Sequence, residues 1–571
     1  MARSKVSIIG GGPAGSVAAL TLNKLGHEVT IYERSRFPRY RIGESLLPGT
    51  MSILSRLGLQ EKIEAQNYIK KPSATFLWGQ GQAPWTFSFA APKVTPWVYG
   101  HAIQVKREEF DKLLLDEVKS RGITVIEQAN VTEVDVSRTD GVSLTALRNG
   151  ETLHHESDFV IDAGGAGGPL ARQLGVRRYD EFYKNFAIWS YFNLSDPFSG
   201  DLKGTTYSIT FEDGWVWMIP IKDDLYSVGI VVDRDKAAEV RKLGAEEFYR
   251  TTLAKCAGAT KLLAGTEMVD EVRIVQDWSY EAERFSAERY FLCGDAACFT
   301  DPLFSQGVHL ASQSAVCAAA AIDRITQAED EQEEVHAWYN RTYRAAYEEY
   351  HEFLASFYTY ASFTEPNSEF WRKRRITESD DERLSRRKWF EKLVDNGQEG
   401  TGSTVPNFRD RAATMISIGR HQRATLSDEF SEAELNAARV RWISDLTNRL
   451  NSITRLRWTG TKALLKPHYR VAPQTFRLEQ REILSNQDGL DMAQYPMDEQ
   501  TLQVFQELVE EEFGYRALIK RLRSAGRHEI SSQLVLRLME AGLLTGYDKN
   551  GDQVVVESRL HFGGVGVEYE V

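Results

Sequence analysis

A short stretch near the N-terminus confines this chain more than anything else in it. An apolar, β-branched run from Val6 to Ile9 meets Gly10-Gly11-Gly12-Pro13-Ala14-Gly15. A helical pattern then continues to Leu25, and a second apolar run, Val29 to Tyr32, ends in Glu33. The order predicts a strand, a tight glycine turn, a helix and a second strand, with G-x-G-x-x-G in the turn. Gly10 permits the turn, Gly12 admits a pyrophosphate to the backbone, and Gly15 lets the helix close on the strand. The helix opening at Pro13 and Ala14 offers unpaired N–H groups and the positive end of its dipole to phosphate oxygens. Glu33 falls where a carboxylate accepts hydrogen bonds from an adenosine ribose. Each feature is weak alone; in this order they specify a dinucleotide-binding βαβ unit.

A second pattern lies nearly three hundred residues downstream. Tyr290-Phe291-Leu292-Cys293 reads as a buried strand, Gly294-Asp295-Ala296-Ala297 as a turn, and about Gln306 to Ile325 as a small-residue helix. Such a turn presents the Asp295 carboxylate to a polyol. In two-dinucleotide-fold flavoproteins that polyol is the ribityl chain of FAD, while the N-terminal glycine loop holds the diphosphate. The expected cofactor is therefore FAD, and Arg41, in Arg39-Tyr40-Arg41-Ile42-Gly43-Glu44-Ser45, is assigned to it as well.

Composition closes off other classes. With 571 residues, 42% of them hydrophobic, the chain can bury a large core, and length alone suggests roughly two to four domains. The 69 Lys and Arg face 81 Asp and Glu, a net charge of -12, which removes the electrostatic attraction that drives nucleic-acid binding. Cys256, Cys293, Cys298 and Cys317 show no metal-ligand spacing, so reduced thiols and no metal are expected. No apolar run approaches the ~18 residues of a membrane span, and the glycine cluster interrupts the N-terminal apolar run too early for a signal peptide. The expected compartment is the cytoplasm.

The fold class expected is α/β (α+β). Residues 1–330 form a flavin module, with FAD-binding parts at about 1–60, 105–185 and 285–330 and sheet-rich parts at about 61–104 and 186–284. From 331 to 571 the pattern turns to Glu, Arg, Lys, Tyr and Trp at helical spacing, which predicts a separate, mostly helical C-terminal domain. Its end, about 496–560, reads as three helices and a short strand, like a winged helix. From Asp498 to Arg559 eleven acids outnumber eight Lys or Arg, which favours packing over DNA binding.

One motif turns this outline into a family resemblance. Gly214-Trp215-Val216-Trp217-Met218-Ile219-Pro220, following a glycine-loop FAD domain, resembles the flavin-dependent halogenases, and the likeness covers roughly residues 5–325. On a strand, Trp215 and Trp217 point to one face. In isolation such a pair is core packing; in this family it is a flavin-side wall that keeps substrate away from activated oxygen, so that oxygen meets halide instead of carbon. The resemblance implies a p-hydroxybenzoate hydroxylase-like flavin monooxygenase module with a substrate-side β-sheet. It also implies FADH2 from a separate flavin reductase, with chloride and dioxygen as co-substrates.

The same resemblance assigns roles. Lys71, in Lys70-Lys71-Pro72, lines up with the catalytic lysine that receives hypochlorous acid. A charged amine would orient that acid, whereas a neutral one would be chlorinated, and the sequence leaves both open. Lys70, its neighbour on an extended segment, should face solvent. Residues 299–311 look like the family's halide and flavin loop. Pro302 would lie against the flavin, and the N–H groups of Gln306 and Gly307 would hold the halide at a helix opening, where the plain alternative is an ordinary helix cap. Asp277, in Gln276-Asp277-Trp278, is expected to contact the flavin, either freely or as a covalent tether.

Tryptophan halogenases carry a glutamate two residues before the halide-contacting pair; here that place is Phe304. The departure points to the phenol, pyrrole and acyl group of the family, and to an enolisable acyl substrate in antibiotic biosynthesis, free or tethered to a carrier protein. Arg372-Lys373-Arg374-Arg375 and Arg386-Arg387-Lys388 are a candidate surface for such a carrier. The C-terminal domain would shape or cover the substrate entrance. The rival readings are an FAD-dependent aromatic hydroxylase or epoxidase, and a non-catalytic flavin-binding scaffold.

Overall fold

The computed structural model describes residues 2–79, 84–89, 99–365, 367–374, 432–458, 464–485, 499–526, 531–540, 543–556, 559–562 and 565–568. They fall into two compact units. The first takes residues 1–413 with 471–479, the second 414–470 with 480–571.

The first unit is built on the predicted βαβ element: β1 (Lys5–Ile9), α1 (Pro13–Leu25) and β2 (Glu28–Glu33). Val6, Ile8 and Ile9 of β1 are all buried, the signature of a central parallel strand covered on both faces. β1 pairs in parallel with β2 on one side and with Phe159–Asp162 on the other. The six-stranded sheet runs Ser286–Ala287, Tyr290–Leu292, Phe159–Asp162, β1, β2, Thr124–Glu127. Both flavin-type turns, after β1 and after Tyr290–Leu292, therefore leave the same ends of parallel strands, the position from which α/β sheets bind ligands.

Beside it lies a nine-stranded sheet. Its main path runs Trp85–Ser88, β3 (Ser73–Leu77), β5 (Thr206–Phe211), β6 (Gly214–Lys222), β7 (Leu225–Asp233), β4 (Arg177–Asn193), β8 (Arg273–Ala282) and Cys298–Phe299. The alternation of aromatic and β-branched residues over 186–275 becomes the pairing of β4 to β8 here. Lys71 ends a short strand, Ile69–Lys71, just before β3.

The composition boundary at 330 does not coincide with the division into units. α2 (Gly307–Gln327) packs on α1, and α3 (Gln332–Thr364) packs on α2. The charged residues that set the segment after 330 apart form only the outer face of α3. Its inner face is aromatic, and it is stitched to the second flavin-type turn by Tyr339, whose hydroxyl donates to the Leu292 carbonyl at 2.8 Å, and by Tyr343, which donates to that of Gly294 at 3.2 Å. A second piece of late sequence also belongs with this unit. Phe476 is fully buried, with the Arg56 guanidinium 4.4 Å from its ring and Arg56 Nε donating to the Pro473 carbonyl at 2.6 Å.

The second unit holds the three expected helices, α5 (Glu499–Glu510), α6 (Tyr515–Ser524) and α7 (Ser531–Glu540), preceded by α4 (Glu432–Ser452). They enclose a core that includes Leu450, Leu508, Leu518 and Leu538. A three-stranded sheet of Arg455–Trp458, Leu544–Tyr547 and Gln553–Val554 supplies the wing. A pair of strands, Arg559–Phe562 and Val565–Glu568, adds more strand than the sequence pattern indicated. Among the described residues, no helix is long and apolar enough to cross a membrane. All four cysteines are buried, and none forms a disulfide among the described residues.

One tight constraint in the first unit is the crossing of α1 over the glycine turn. A Cβ on Gly15 would stand 1.9 Å from the Gly10 carbonyl oxygen, closer than any real contact. Gly15→Ala must push α1 off β1. We expect it to cost ~1–3 kcal/mol, the usual range for overpacking, and to lower both melting temperature and the flavin retained through gel filtration; unchanged values of both would contradict the close crossing.

Candidate active site

The two flavin-type turns open into one cleft of about 760 Å³. Its lining includes Gly10, Gly12, Pro13, Ala14, Glu33, Arg41, Asp295, Pro302 and Gly307, together with both tryptophans, so most of the residues assigned to cofactor, halide and wall converge here. Gly15 and Gln306 do not line it, the first because its role is the helix crossing, and the side chain of Asp277 is outside the described residues. Glu33 Oε2 accepts the Gly11 N–H and Oε1 that of Ser35, both at 2.7 Å. Each carboxylate oxygen keeps a lone pair for a ribose hydroxyl.

The cleft carries more positive charge than its own acids balance. Arg34, Arg39, Arg41 and Arg107 all line it. Asp111 pairs with Arg39 and Arg107 at 2.8 Å, while Arg41 has no ion-pair partner among the described residues. Burial, and then repulsion from Arg39, Arg34 and Arg107, pulls the Arg41 guanidinium below its ordinary value. That arrangement calls for an anion, and a diphosphate beside the α1 opening meets the need. At the other turn, burial raises the Asp295 carboxyl against the pull of Arg107, Arg41 and Arg177. The lining thus suits an adenine dinucleotide of the FAD type along its whole length.

Trp215 and Trp217 stand side by side on β6 with ring centroids 6.1 Å apart, and both are buried. Space for Trp217 is made by one residue across the ladder. Gly229 of β7 pairs with Trp217, and a Cβ there would lie 2.1 Å from the indole. Trp217 Nε1 donates to Ser227 Oγ at 3.2 Å, and Trp215 Nε1 donates to the Tyr358 hydroxyl of α3 at 2.8 Å.

Lys71 is 1% exposed, whereas Lys70 faces solvent, as alternation on a strand requires. The Lys71 ammonium donates to the Leu46 carbonyl at 3.2 Å and to Ser305 Oγ at 3.3 Å, and it lies 5.3 Å from the Phe89 ring centroid. Ser305 lines the cleft, and Lys71 does not. The serine is therefore the bridge between cleft and lysine. It adopts the left-handed conformation, φ 59°, in the turn between Pro302–Phe304 and α2. Unpaired helix-opening N–H groups follow immediately at Gln306 and Gly307. A Cβ on Gly307 would meet no atom within 4 Å, so the backbone there is open to a small ligand. Gln306 is buried, and its side chain donates to the Asp301 carbonyl at 2.6 Å.

Around the lysine the lining is aromatic. Phe304 packs 4.9 Å from Phe357 and 6.3 Å from Phe76, centroid to centroid, in a cluster that also takes in Trp78.

The sequence reading missed Glu44. This carboxyl lines the cleft and is buried, which pushes it up to about 7 against the hydrogen bond it accepts at Oε1 from the Tyr191 hydroxyl, 2.6 Å away. Tyr191 is joined to Tyr40 at 2.9 Å, and Tyr40, partly exposed, sits under Arg273. The only local sign was an acid in Arg41-Ile42-Gly43-Glu44-Ser45, directly after the glycine-loop unit. Asp277 lies on β8 opposite Asn185; its side chain is outside the described residues, so the expected flavin contact has no geometry to report.

Comparison with known proteins bears on this arrangement. The family profile described as tryptophan halogenase matches residues 5–100 and 96–408, and that of the chloramphenicol halogenase CmlS C-terminal domain matches 442–559. The chain belongs to the flavin-dependent halogenases. The crystal structure of CmlS, a flavin-dependent halogenase, is 75% identical over 99% of this chain and 100% of its own, with a TM-score of 0.84. The myxobacterial chondrochloren halogenase CndH is 32% identical over 73% of this chain and 97% of its own, with a TM-score of 0.63. Tryptophan 2-halogenase of Chondromyces crocatus is 34% identical over 62% of this chain and 68% of its own. The halogenases use FAD, and the cleft fits it.

Within this halogenase one expected surface is corrected. Arg374 is no part of an exposed docking cluster: it is 2% exposed, paired with Asp233 at 2.9 Å, and donates to Asn185 Oδ1 at 2.6 Å. Lys373 is held by Asp235 and Glu369, and residues 375 and 386–388 lie outside the described residues. Arg374 follows the short helix Glu369–Lys373 and turns inward, so it adds no charge to a basic face.

The close fit of Trp217 over Gly229 makes the wall testable. Gly229→Ala should displace the indole at a cost of ~1–3 kcal/mol and raise hydrogen peroxide released per reduced flavin oxidised several-fold over the wild-type enzyme. An unchanged peroxide yield would show that the indole position does not matter to coupling.

Proposed function

We propose that this halogenase consumes reduced FAD from a separate flavin reductase, together with dioxygen and chloride, and delivers chlorine through Lys71 to an enolisable acyl substrate. The observation that carries the reading is the placement of Lys71, buried behind Ser305 and next to a helix opening that suits an anion. Bound in the cleft, reduced flavin supplies activated oxygen able to oxidise chloride to hypochlorous acid. Gly10, Gly12, Glu33, Arg41 and Asp295 hold the cofactor, Gln306 and Gly307 hold chloride by their backbone N–H groups, and Trp215 and Trp217 exclude organic molecules.

Lys71 then handles the oxidant. As an ammonium it donates to the oxygen of hypochlorous acid and polarises the O–Cl bond; as an amine it takes the chlorine, with water leaving. Ser305 Oγ accepts from the amine and fixes its direction. Phe304, in the place of the tryptophan halogenases' glutamate, and its aromatic neighbours favour an apolar acyl group over free tryptophan. The similarity to CmlS suggests an acyl unit destined to be dichloroacetyl, free or on a carrier protein.

Glu44 supplies protons to this chemistry. Oε1 accepts from Tyr191, and Ser227 also faces the carboxyl, so the carboxyl proton is assigned to Oε2. With the group at about 7, about half of the carboxyls carry that proton at neutral pH, and it is lost as pH rises through 7.

Mass spectrometry of acyl thioesters incubated with a flavin reductase, FAD, NADH, oxygen and chloride tests the function, and chlorine isotope doublets are expected. Oxygenated product formed without chloride would establish the hydroxylase instead. Lys71→Ala should leave flavin oxidation at the wild-type rate and reduce chlorination by at least ~100-fold; undiminished chlorination would remove the lysine from the reaction. Glu44→Gln should slow chlorination by ~100-fold and abolish the fall in rate expected of the wild-type enzyme above pH 7. A variant that keeps that fall would assign it to another group.

A further inference from the structure

We propose that Tyr358 is a positioning residue whose hydroxyl ties the tryptophan wall to the halide loop, so that exclusion of organic molecules and binding of chloride are set together. Tyr358 comes from α3 and is fully buried. Its hydroxyl accepts the Trp215 Nε1–H at 2.8 Å and donates to Asp301 Oδ2 at 2.7 Å. One oxygen thus spends its donor and one acceptor position on two elements that share no strand or helix. Asp301 is itself buried and extends the tie into the loop: its Oδ1 accepts the Leu303 N–H at 3.1 Å, and its carbonyl accepts from the Gln306 side chain at 2.6 Å. Asn185 completes the acceptor side by donating to Asp301 Oδ2 at 3.2 Å, and Arg374 holds Asn185. A buried tyrosine needs only one partner to be satisfied; this one has two, and each belongs to a different half of the site.

Removing the hydroxyl strips the Trp215 N–H of its acceptor and Asp301 Oδ2 of its strongest donor. The wall and the loop then move independently. The inference rests on Gln306 and Gly307 being the halide site, so the measurements separate the two claims.

Full-length, FAD-loaded enzyme and its Tyr358→Phe variant are compared by chloride titration, followed as broadening of the chloride-35 NMR line, and by hydrogen–deuterium exchange over residues 301–310. Hydrogen peroxide released per reduced flavin oxidised is recorded in parallel. We expect chloride binding to weaken by about 5- to 10-fold, as loss of a hydrogen bond predicts, with faster exchange in the loop, a higher peroxide yield and unchanged flavin content. Trp215→Phe approaches the same tie from the wall, and it should also speed exchange at 301–310 although the hydrogen bond it removes goes to Tyr358 and to no loop residue. Wild-type chloride affinity in Tyr358→Phe, or wild-type loop exchange in Trp215→Phe, would overturn the proposal and leave the halide site standing. Absence of chloride binding to the wild-type enzyme would sink the halide site, and the tie with it.

Discussion

The chemistry of this site depends on a turn of one residue. Ser305 is held in the left-handed region between a short helical turn and α2, and in that conformation it reaches from the cleft to the Lys71 ammonium while the chain behind it opens a helix toward an anion. A residue in an ordinary extended or helical conformation would continue one element or the other and separate the lysine from the helix opening. Backbone strain of this kind persists only where its surroundings over-determine it. Here the surroundings are the Asp301 carboxylate, which caps the turn, and the aromatic cluster around Phe304.

The surroundings on either side of that turn differ in polarity. The cofactor side is lined by arginines and glycine turns and suits anions. On the other side the Lys71 ammonium faces the Phe89 ring, and Phe304, next to Ser305, packs with Phe76 and Phe357. In the relay proposed above, a small neutral oxidant such as hypochlorous acid would cross between them at less desolvation cost than a charged species.

Local patterns were legible in the sequence. The glycine turns, the strand nature of the W-x-W motif and the opposite facing of Lys70 and Lys71 follow from spacing, because each is settled within one or two elements. Glu44 was not, since burial is what raises its carboxyl, and its partner Tyr191 lies 147 positions away. Tyr358 was hidden for the same reason: its partners lie 57 and 143 positions distant, in a helix whose composition resembled a different domain. Arg374 misled because charge in sequence carries no information about which way a helix turns. The resemblance to halogenases singled out Lys71 and the tryptophan pair, and the coordinates supplied the hydrogen bonds around them.

The fit of Trp217 over Gly229 has an evolutionary consequence. The indole occupies the volume that any side chain at 229 would fill, so neither position can drift while the other stays fixed. A lineage that enlarges residue 229 must first give up the large ring at 217, and an intermediate with only the ring lost carries unfilled space where the indole packs. The two positions are therefore expected to change together, which makes glycine at the partner position across the ladder a marker for relatives that keep the large ring.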